Sequence, residues 1–150
     1  MSNLPDPSTL ATLVSNVTQT MCGVSFVAAA PEQAELTCWR MAVLKVTGDS
    51  PWQVALFSDQ VGCTALGAAL FGCPADSLDS TMLEDSLCEL LNMAAGQIKG
   101  VLAPDSALGL PKITSPGQLT PKFQALMREG VLLRSQASVK LMILVSEGLD

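Results

Sequence analysis

Histidine and tyrosine are absent from the sequence, and its 150 residues include only two tryptophans and four phenylalanines. Without histidine, neither a Ser–His nor a Cys–His catalytic pair can form, and a zinc site would need cysteines at suitable spacings. So few aromatic side chains leave no visible stacking platform for single-stranded nucleic acid. The usual hydrolytic triads and a base-stacking surface are therefore excluded.

Charge is also scarce and of one predominant sign. Charged residues make up 15% of the chain and hydrophobic residues 49%, which is typical of a packed globule. The net charge is −6, and the eight basic residues are scattered, which argues against a nucleic-acid or anionic-membrane surface. This length predicts one domain over residues 1–150, with residues 1–7 as a loose lead-in that contains Pro5 and Pro7.

Long apolar runs are missing as well. No stretch of about 18 uncharged apolar residues is present, so no membrane span is expected. The N-terminus has no basic region followed by an apolar run, so no signal peptide is expected and we predict a cytoplasmic protein. The five cysteines form no C-x-x-C pair, which favours buried, reduced thiols.

Phosphate-binding and metal-binding motifs are lacking too. The segment Gly62–Gly67 lacks the lysine of a P-loop, and no G-x-G-x-x-G fingerprint occurs. An oxygen-ligand site from Glu84, Asp85 and Glu89 is disfavoured because the first two side chains project to different faces of a helix. We therefore expect no metal ion or cofactor bound by this chain.

The longest predicted helix covers residues 79–103, and Pro104 ends it. Thr81 followed by Glu84 fits a capping box. Apolar residues recur at three- and four-residue spacing and predict a broad buried face. These residues are Met82, Leu83, Leu87, Leu90, Leu91, Ala94, Ile98, Val101 and Leu102.

The opposite face of this helix carries a polar stripe. Asp85, Glu89, Asn92, Gly96 and Lys99 follow one another at steps of three or four residues, so they share one side of the helix. The glycine costs roughly 1 kcal/mol of helix propensity relative to alanine. It removes bulk beside the asparagine and would let another surface approach. The alternative is a solvated face with an accidental glycine.

The remaining patterns predict an α+β domain. Helices are predicted at about 7–21 and, capped by Ser58 or Asp59, over 61–70, and residues 115–128 are ambiguous between a loop and a helical turn. Strands are predicted at 24–29, 35–46, 52–57, 107–113, 131–137 and 139–145. This order repeats a helix and three strands. It predicts a six-stranded antiparallel sheet with both long helices on one face.

The segment Glu89-Leu-Leu-Asn92-Met-Ala-Ala-Gly96 resembles the E-x-x-N-[MI]-x-x-G signature of the CheC/CheX family of chemotaxis phosphatases. The order of helices and strands is similar to that of the family across roughly residues 8–146. The resemblance implies that this helix docks onto a phosphorylated CheY-type response regulator. It also implies that Glu89 pairs with a lysine of the regulator and that Asn92 orients the attacking water.

Further expectations follow from the same resemblance. Asp85, Gly96 and Lys99 share the stripe and are expected to contact the partner, whose own Mg²⁺ would serve the reaction. Two-site members carry E-x-x-N on both long helices. Here Asn16 stands opposite Asn92, but Leu13 replaces the glutamate. One site per chain is therefore expected, as in CheX-like members. The resemblance to these members also implies that the protein is a homodimer.

A second function remains open at this stage. The chain would then be a non-catalytic, dimeric binding module that docks a response regulator or another signalling partner without dephosphorylating it. An intact Glu–Asn pair favours the phosphatase, and exposure of both side chains is a requirement for docking.

Overall fold

Four α-helices and seven β-strands make up the part of the chain that the computed structural model describes, residues 4–29 and 36–147. The helices are α1 (Pro7–Cys22), α2 (Gln60–Phe71), α3 (Ser80–Leu102) and α4 (Pro121–Met127). The strands are β1 (Phe26–Ala28), β2 (Arg40–Thr47), β3 (Trp52–Ser58), β4 (Ala107–Leu108), β5 (Lys112–Thr114), β6 (Val131–Ser135) and β7 (Lys140–Glu147). None of these helices is long and apolar enough to cross a bilayer.

One antiparallel sheet joins all seven strands. The order is β1-β6-β7-β3-β2-β4, and β5 also pairs with β2. Strands β3 and β7 are the central pair, with β2 and β6 on either side of them. The first strand of each α-β-β-β unit lies at the far edge, beside strands of the other unit. The repeat expected from the order of elements is therefore present as a pseudo-twofold arrangement.

The six strands expected become seven because the segment predicted as one strand over 107–113 is interrupted. Its two halves, β4 and β5, both pair with β2, and Gly109, Leu110 and Pro111 separate them. The Gly109 N–H still donates to the Lys45 carbonyl at 2.7 Å. A Cβ on Gly109 would lie 2.9 Å from that carbonyl oxygen, and Pro111 has no N–H to donate.

Three helices cover one face of the sheet. The predicted packing of both long helices on one face is confirmed, and α2 joins α1 and α3 there. Ala42, Leu44 and Val46 of β2 point into this layer, while Met41 points to the other face. Arg40 interrupts the apolar alternation of this strand, so the sequence alone does not settle which face is buried, and the structure shows that both faces are covered.

The second face of the sheet packs against α4. Its apolar contacts come from Met41, Phe57 and Met142 on the sheet and from Phe123 and Leu126 of α4. The segment 115–128, ambiguous in the sequence, contains a short 3-10 turn over Pro116–Gln118 and then this helix. The domain thus has three layers.

Several predicted elements were longer than the observed ones. The strand predicted at 24–29 is restricted to β1, whose three residues are in register with β6, although the Ala29 N–H also donates to the Leu132 carbonyl at 2.8 Å. The strand predicted from Glu35 begins at Arg40. Residues 36–39 form no strand, and Glu35 lies outside the described residues. Of the predicted lead-in, residues 1–3 are also outside them, and Pro7 already belongs to α1.

The capping box predicted from Thr81 and Glu84 is wrong. Asp79 is the N-cap of α3, and its carboxylate accepts a hydrogen bond from the Met82 N–H at 2.9 Å. Thr81 lies within the first turn, and Glu84 instead forms an ion pair with Arg40. A carboxylate at the N-cap satisfies a free N–H and also suits the positive end of the helix dipole.

Replacement of Asp79 by alanine should lower the free energy of unfolding by about 1 kcal/mol, the usual effect of losing an N-cap side chain. Thr81→Ala is the matched control, since it removes a nearby hydroxyl that caps nothing, and it should change stability by no more than a few tenths of a kcal/mol. Urea unfolding of both variants measures the difference. A larger loss for Thr81→Ala than for Asp79→Ala would restore the capping box.

Candidate functional site

The helix α3 is held firmly because its apolar face is buried. Leu87, Leu90, Leu91 and Ile98 are each at most 1% exposed, and they pack in the main core with side chains from α1 and the sheet. Side chains on the outer face of α3 therefore project from a backbone that has little freedom to move. Such a support is what a docking or catalytic group requires.

The outer face presents Glu89 and Asn92 to solvent. Both residues are exposed, as is Asp85 one turn earlier. Among the described residues, no hydrogen bond or ion pair engages the side chain of Glu89 or Asn92. The two are about 4.5 Å apart along the helix axis, slightly less than one turn of an α-helix. A carboxylate and an amide thus stand side by side with their polar atoms unoccupied.

The last member of the predicted stripe has a local partner. Lys99 is half-buried, and its ammonium group donates a hydrogen bond to the Pro104 carbonyl at 2.8 Å. A cation at this position also suits the negative end of the helix dipole. Lys99 therefore stabilises the end of α3, whereas Asp85 remains available beside the Glu–Asn pair.

Gly96 leaves open space beside Asn92. A Cβ built on Gly96 would have one neighbour within 4 Å, the Leu108 Cδ1 at 3.9 Å, which is ordinary van der Waals contact. Nothing inside the domain therefore requires a glycine there. Gly100, one turn later, is also free of neighbours. Glycine at position 96 makes the helix less stable than alanine would, and packing inside the domain does not explain it. The absence of a side chain there would allow another molecule to approach the helix closely.

An exposed leucine, Leu110, lies close in the chain to Leu108, the residue whose side chain is nearest to Gly96. Leu108 contacts α3, and Leu110, two residues on, is 84% exposed at the interruption between β4 and β5. Sequence reasoning placed Leu110 in a strand over 107–113 that Pro111 confines to an edge or a bulge. The signal was present, because Gly109 and Pro111 flank it and both disfavour regular pairing.

A cation lies near the start of the helix and was not predicted as part of the surface. The Arg40 Nε is 3.4 Å from a carboxylate oxygen of Glu84, and both side chains are about a third exposed. The Arg40 guanidinium also lies 4.8 Å from the ring centroid of Trp39. Glu84 is therefore engaged by an ion pair within the domain. The sequence offered no signal for this contact, since 44 residues separate the partners.

The cysteines offer no nucleophile here. Burial raises the pKa of the Cys88 thiol, beside Glu89 in the chain, and the carboxylates of Asp85 and Glu84 raise it further. Burial likewise raises the pKa of Cys63 to about 12 and that of Cys38 to about 11. These thiols stay protonated at neutral pH. In the described residues, no group of three or more Cys, Asp or Glu side chains is arranged to hold a metal ion.

The corresponding face of α1 is different. Asn16 is exposed, but its amide donates a hydrogen bond to the Gln97 side chain of α3 at 3.3 Å. Leu13, in the place of a glutamate, is half-buried and packs against the core. Of the two long helices, both fully described, α3 therefore carries an exposed Glu–Asn pair and α1 does not.

Comparison with protein-family models finds no match, and comparison with curated proteins finds none either. Solved structures do match. CheX from Vibrio vulnificus has a TM-score of 0.69 and 16% identity, with 93% of each chain covered. A chain of the CheX–CheY–BeF3–Mg²⁺ complex from Borrelia burgdorferi has a TM-score of 0.70 and 10% identity, with 98% of this chain and 100% of that chain covered.

The same fold also occurs in the FliM middle domain from H. pylori, with a TM-score of 0.64, 12% identity, and 93% of this chain and 86% of that chain covered. At these identities the similarity concerns the fold. The chain has the CheC/CheX fold, which confirms the architecture that the E-x-x-N resemblance implied.

Proposed function

We propose that this protein is a phosphatase that hydrolyses the aspartyl phosphate of a CheY-type response regulator, with α3 as its docking helix. The observation that carries the proposal is the pair Glu89 and Asn92, exposed and unbonded on a helix whose other face is fixed in the core. The chemotaxis proteins with this fold support it, among them the CheX found in a complex with CheY.

Asn92 is the catalytic residue of the proposal. An aspartyl phosphate is already activated, so its hydrolysis depends mainly on a water molecule held in line with the bond to the leaving carboxylate. A side-chain amide has both a donor and an acceptor and can orient such a water. Attack on phosphorus then releases inorganic phosphate and restores the free aspartate of the regulator.

Glu89 anchors the helix to the regulator. A carboxylate one turn before the amide can form a charge-assisted contact with a lysine at the regulator's phosphorylation site. Because Glu89 has no partner in the described part of the chain, no internal ion pair must be broken first. Asp85, on the same stripe, adds negative charge that favours a basic partner surface.

The phosphoryl group and the Mg²⁺ both belong to the regulator in this proposal. This chain supplies a water-positioning amide and an anchoring carboxylate to a site that the partner has largely assembled. Homodimerisation, which the resemblance also implies, stays a prediction, as does a cytoplasmic location.

A non-catalytic binding module is the second candidate. The observation that favours it is the FliM middle domain, which shows that the fold is not confined to proteins called CheX or CheC. Such a module would bind the regulator through the same exposed stripe and leave the lifetime of its phosphate unchanged. The two candidates therefore differ in hydrolysis and agree in docking.

Asn92→Ala should slow dephosphorylation by about 10²-fold, the usual loss when one positioning group is removed. A ³²P-labelled CheY-type receiver domain reports hydrolysis, and calorimetric titration with the BeF3⁻-bound receiver reports docking, which should be nearly unchanged. Glu89→Ala should instead weaken docking about tenfold or more.

The matched control is Gln97→Ala, which removes another exposed amide of α3 away from the stripe and should keep wild-type hydrolysis. Equal decay of the phosphate with wild-type protein, with Asn92→Ala and with no protein, while docking persists, would establish the binding module. If neither the wild-type protein nor any variant bound the receiver domain, both candidate functions would be excluded.

Gly96→Ala separates stability from function. The added methyl meets only Leu108 at ordinary contact distance, so the free energy of unfolding should rise by up to about 1 kcal/mol. The same methyl stands beside Asn92, so docking of the regulator should weaken. Gly100→Ala is the control, and it should give a similar gain in stability with unchanged hydrolysis. Equal activity of the two variants would show that Gly96 is not part of the docking surface.

A further inference from the structure

A cavity lies on the sheet face opposite Glu89 and Asn92, between the sheet and α4. Its volume is about 340 Å³, within the range of small-ligand sites. Its floor is formed by β2 and β3, and α4 with the residues before it forms a wall. The residues that matter here are Lys45, Gln53, Thr114, Leu119, Phe123 and Leu126.

Gln53 is the unusual group in this cavity. It belongs to β3, and because Trp52 and Val54 on either side point into the helical layer, its side chain points to the α4 face. The residue is 4% exposed, yet no hydrogen bond engages its amide within the described residues. Among the described residues, this amide is not one of the fully enclosed polar atoms that lack a partner, so its donor and acceptor groups reach the space of the cavity and are available to a bound molecule.

Lys45 supplies positive charge next to this amide. It is directly opposite Gln53 in the β2–β3 pairing, so both side chains are on the same face. No carboxylate pairs with Lys45 in the part of the chain that the structure describes. The hydroxyl of Thr114 adds a further polar group from β5. One end of the cavity therefore suits an anion.

The rest of the cavity is apolar. Phe123 and Leu126 of α4 and Leu119 before it present carbon atoms to the space. An ion such as inorganic phosphate would satisfy the polar end but would leave this part filled with water. The complementary molecule has an anionic head and an apolar body.

We propose that this cavity binds a small amphipathic carboxylate. The amide NH₂ of Gln53 donates to one carboxylate oxygen, the ammonium group of Lys45 pairs with the charge, and a ring or short alkyl chain packs against Phe123 and Leu126. The site is on the other face of the sheet from α3, so it can be occupied while a regulator is docked. It does not depend on the phosphatase proposal.

The test uses 4-phenylbutyrate as the probe, with ¹⁵N–¹H NMR spectra of the whole chain. Saturable shifts should centre on β2, β3 and α4. Two comparison compounds each lack one half of the probe: 4-phenylbutan-1-ol has no charge, and butyrate has no ring. Each should bind about tenfold more weakly than the probe, because each loses one of the two kinds of contact.

Variants assign the contacts. Lys45→Gln should weaken binding of 4-phenylbutyrate about tenfold, and Lys112→Gln, which removes an exposed lysine of the same face outside the cavity, should leave it unchanged. Gln53→Met should abolish binding of 4-phenylbutyrate and leave the midpoint of thermal unfolding nearly unchanged, because the amide makes no hydrogen bond within the described part of the fold.

That combined result is one that a merely structural glutamine would not give. Several outcomes would overturn the proposal: no saturable binding, shifts centred outside the cavity, equal affinity for the probe and its alcohol, or equal losses for Lys45→Gln and Lys112→Gln. A lowered midpoint of thermal unfolding for Gln53→Met would show that the amide stabilises the fold, and this would contradict its proposed role in ligand binding.

Discussion

The packing of α3 onto the sheet is the interaction on which the other features depend. The buried face of this helix is built from leucines, alanines and one isoleucine, and it meets β2 and β3 with almost no exposed area. Burial of each large side chain contributes about 1.5–3 kcal/mol, so the orientation of the helix about its axis is strongly specified. That orientation alone decides which side chains face water. The exposure of Glu89 and Asn92 is thus a consequence of where the leucines are.

Apolar patterns were enough to predict α3, β3 and β7. Apolar residues recur at three- and four-residue spacing in α3, whereas β3 and β7 are short, largely apolar runs that are buried on both faces, and all three elements lie within one or two residues of the predicted positions. Short or interrupted elements were less predictable. The extent of β1 depends on pairing with β6, more than a hundred residues away, and α4 depends on an apolar patch of the sheet that no local pattern reveals.

The candidate site was also predictable only in part. Helical spacing was sufficient to place Glu89, Asn92 and Asp85 together on the exposed side of α3. It was not sufficient to show that Lys99 turns to a backbone carbonyl, that Arg40 engages Glu84, or that Asp79 begins the helix. Each of these depends on competition among several polar partners within reach, and a spacing rule names the candidates without ranking them.

The exchange of outer strands between the two α-β-β-β units has a consequence for folding. Strand β1 of the first unit pairs with β6 of the second, and β4 and β5 of the second unit pair with β2 of the first. The outer part of each unit's sheet is therefore formed by strands of the other unit. A cut between β3 and α3 would therefore leave β1 in one fragment, and β4 and β5 in the other, without a pairing strand. The helix that carries the exposed pair belongs to the second unit and packs on β2 and β3 of the first, so its position depends on both units.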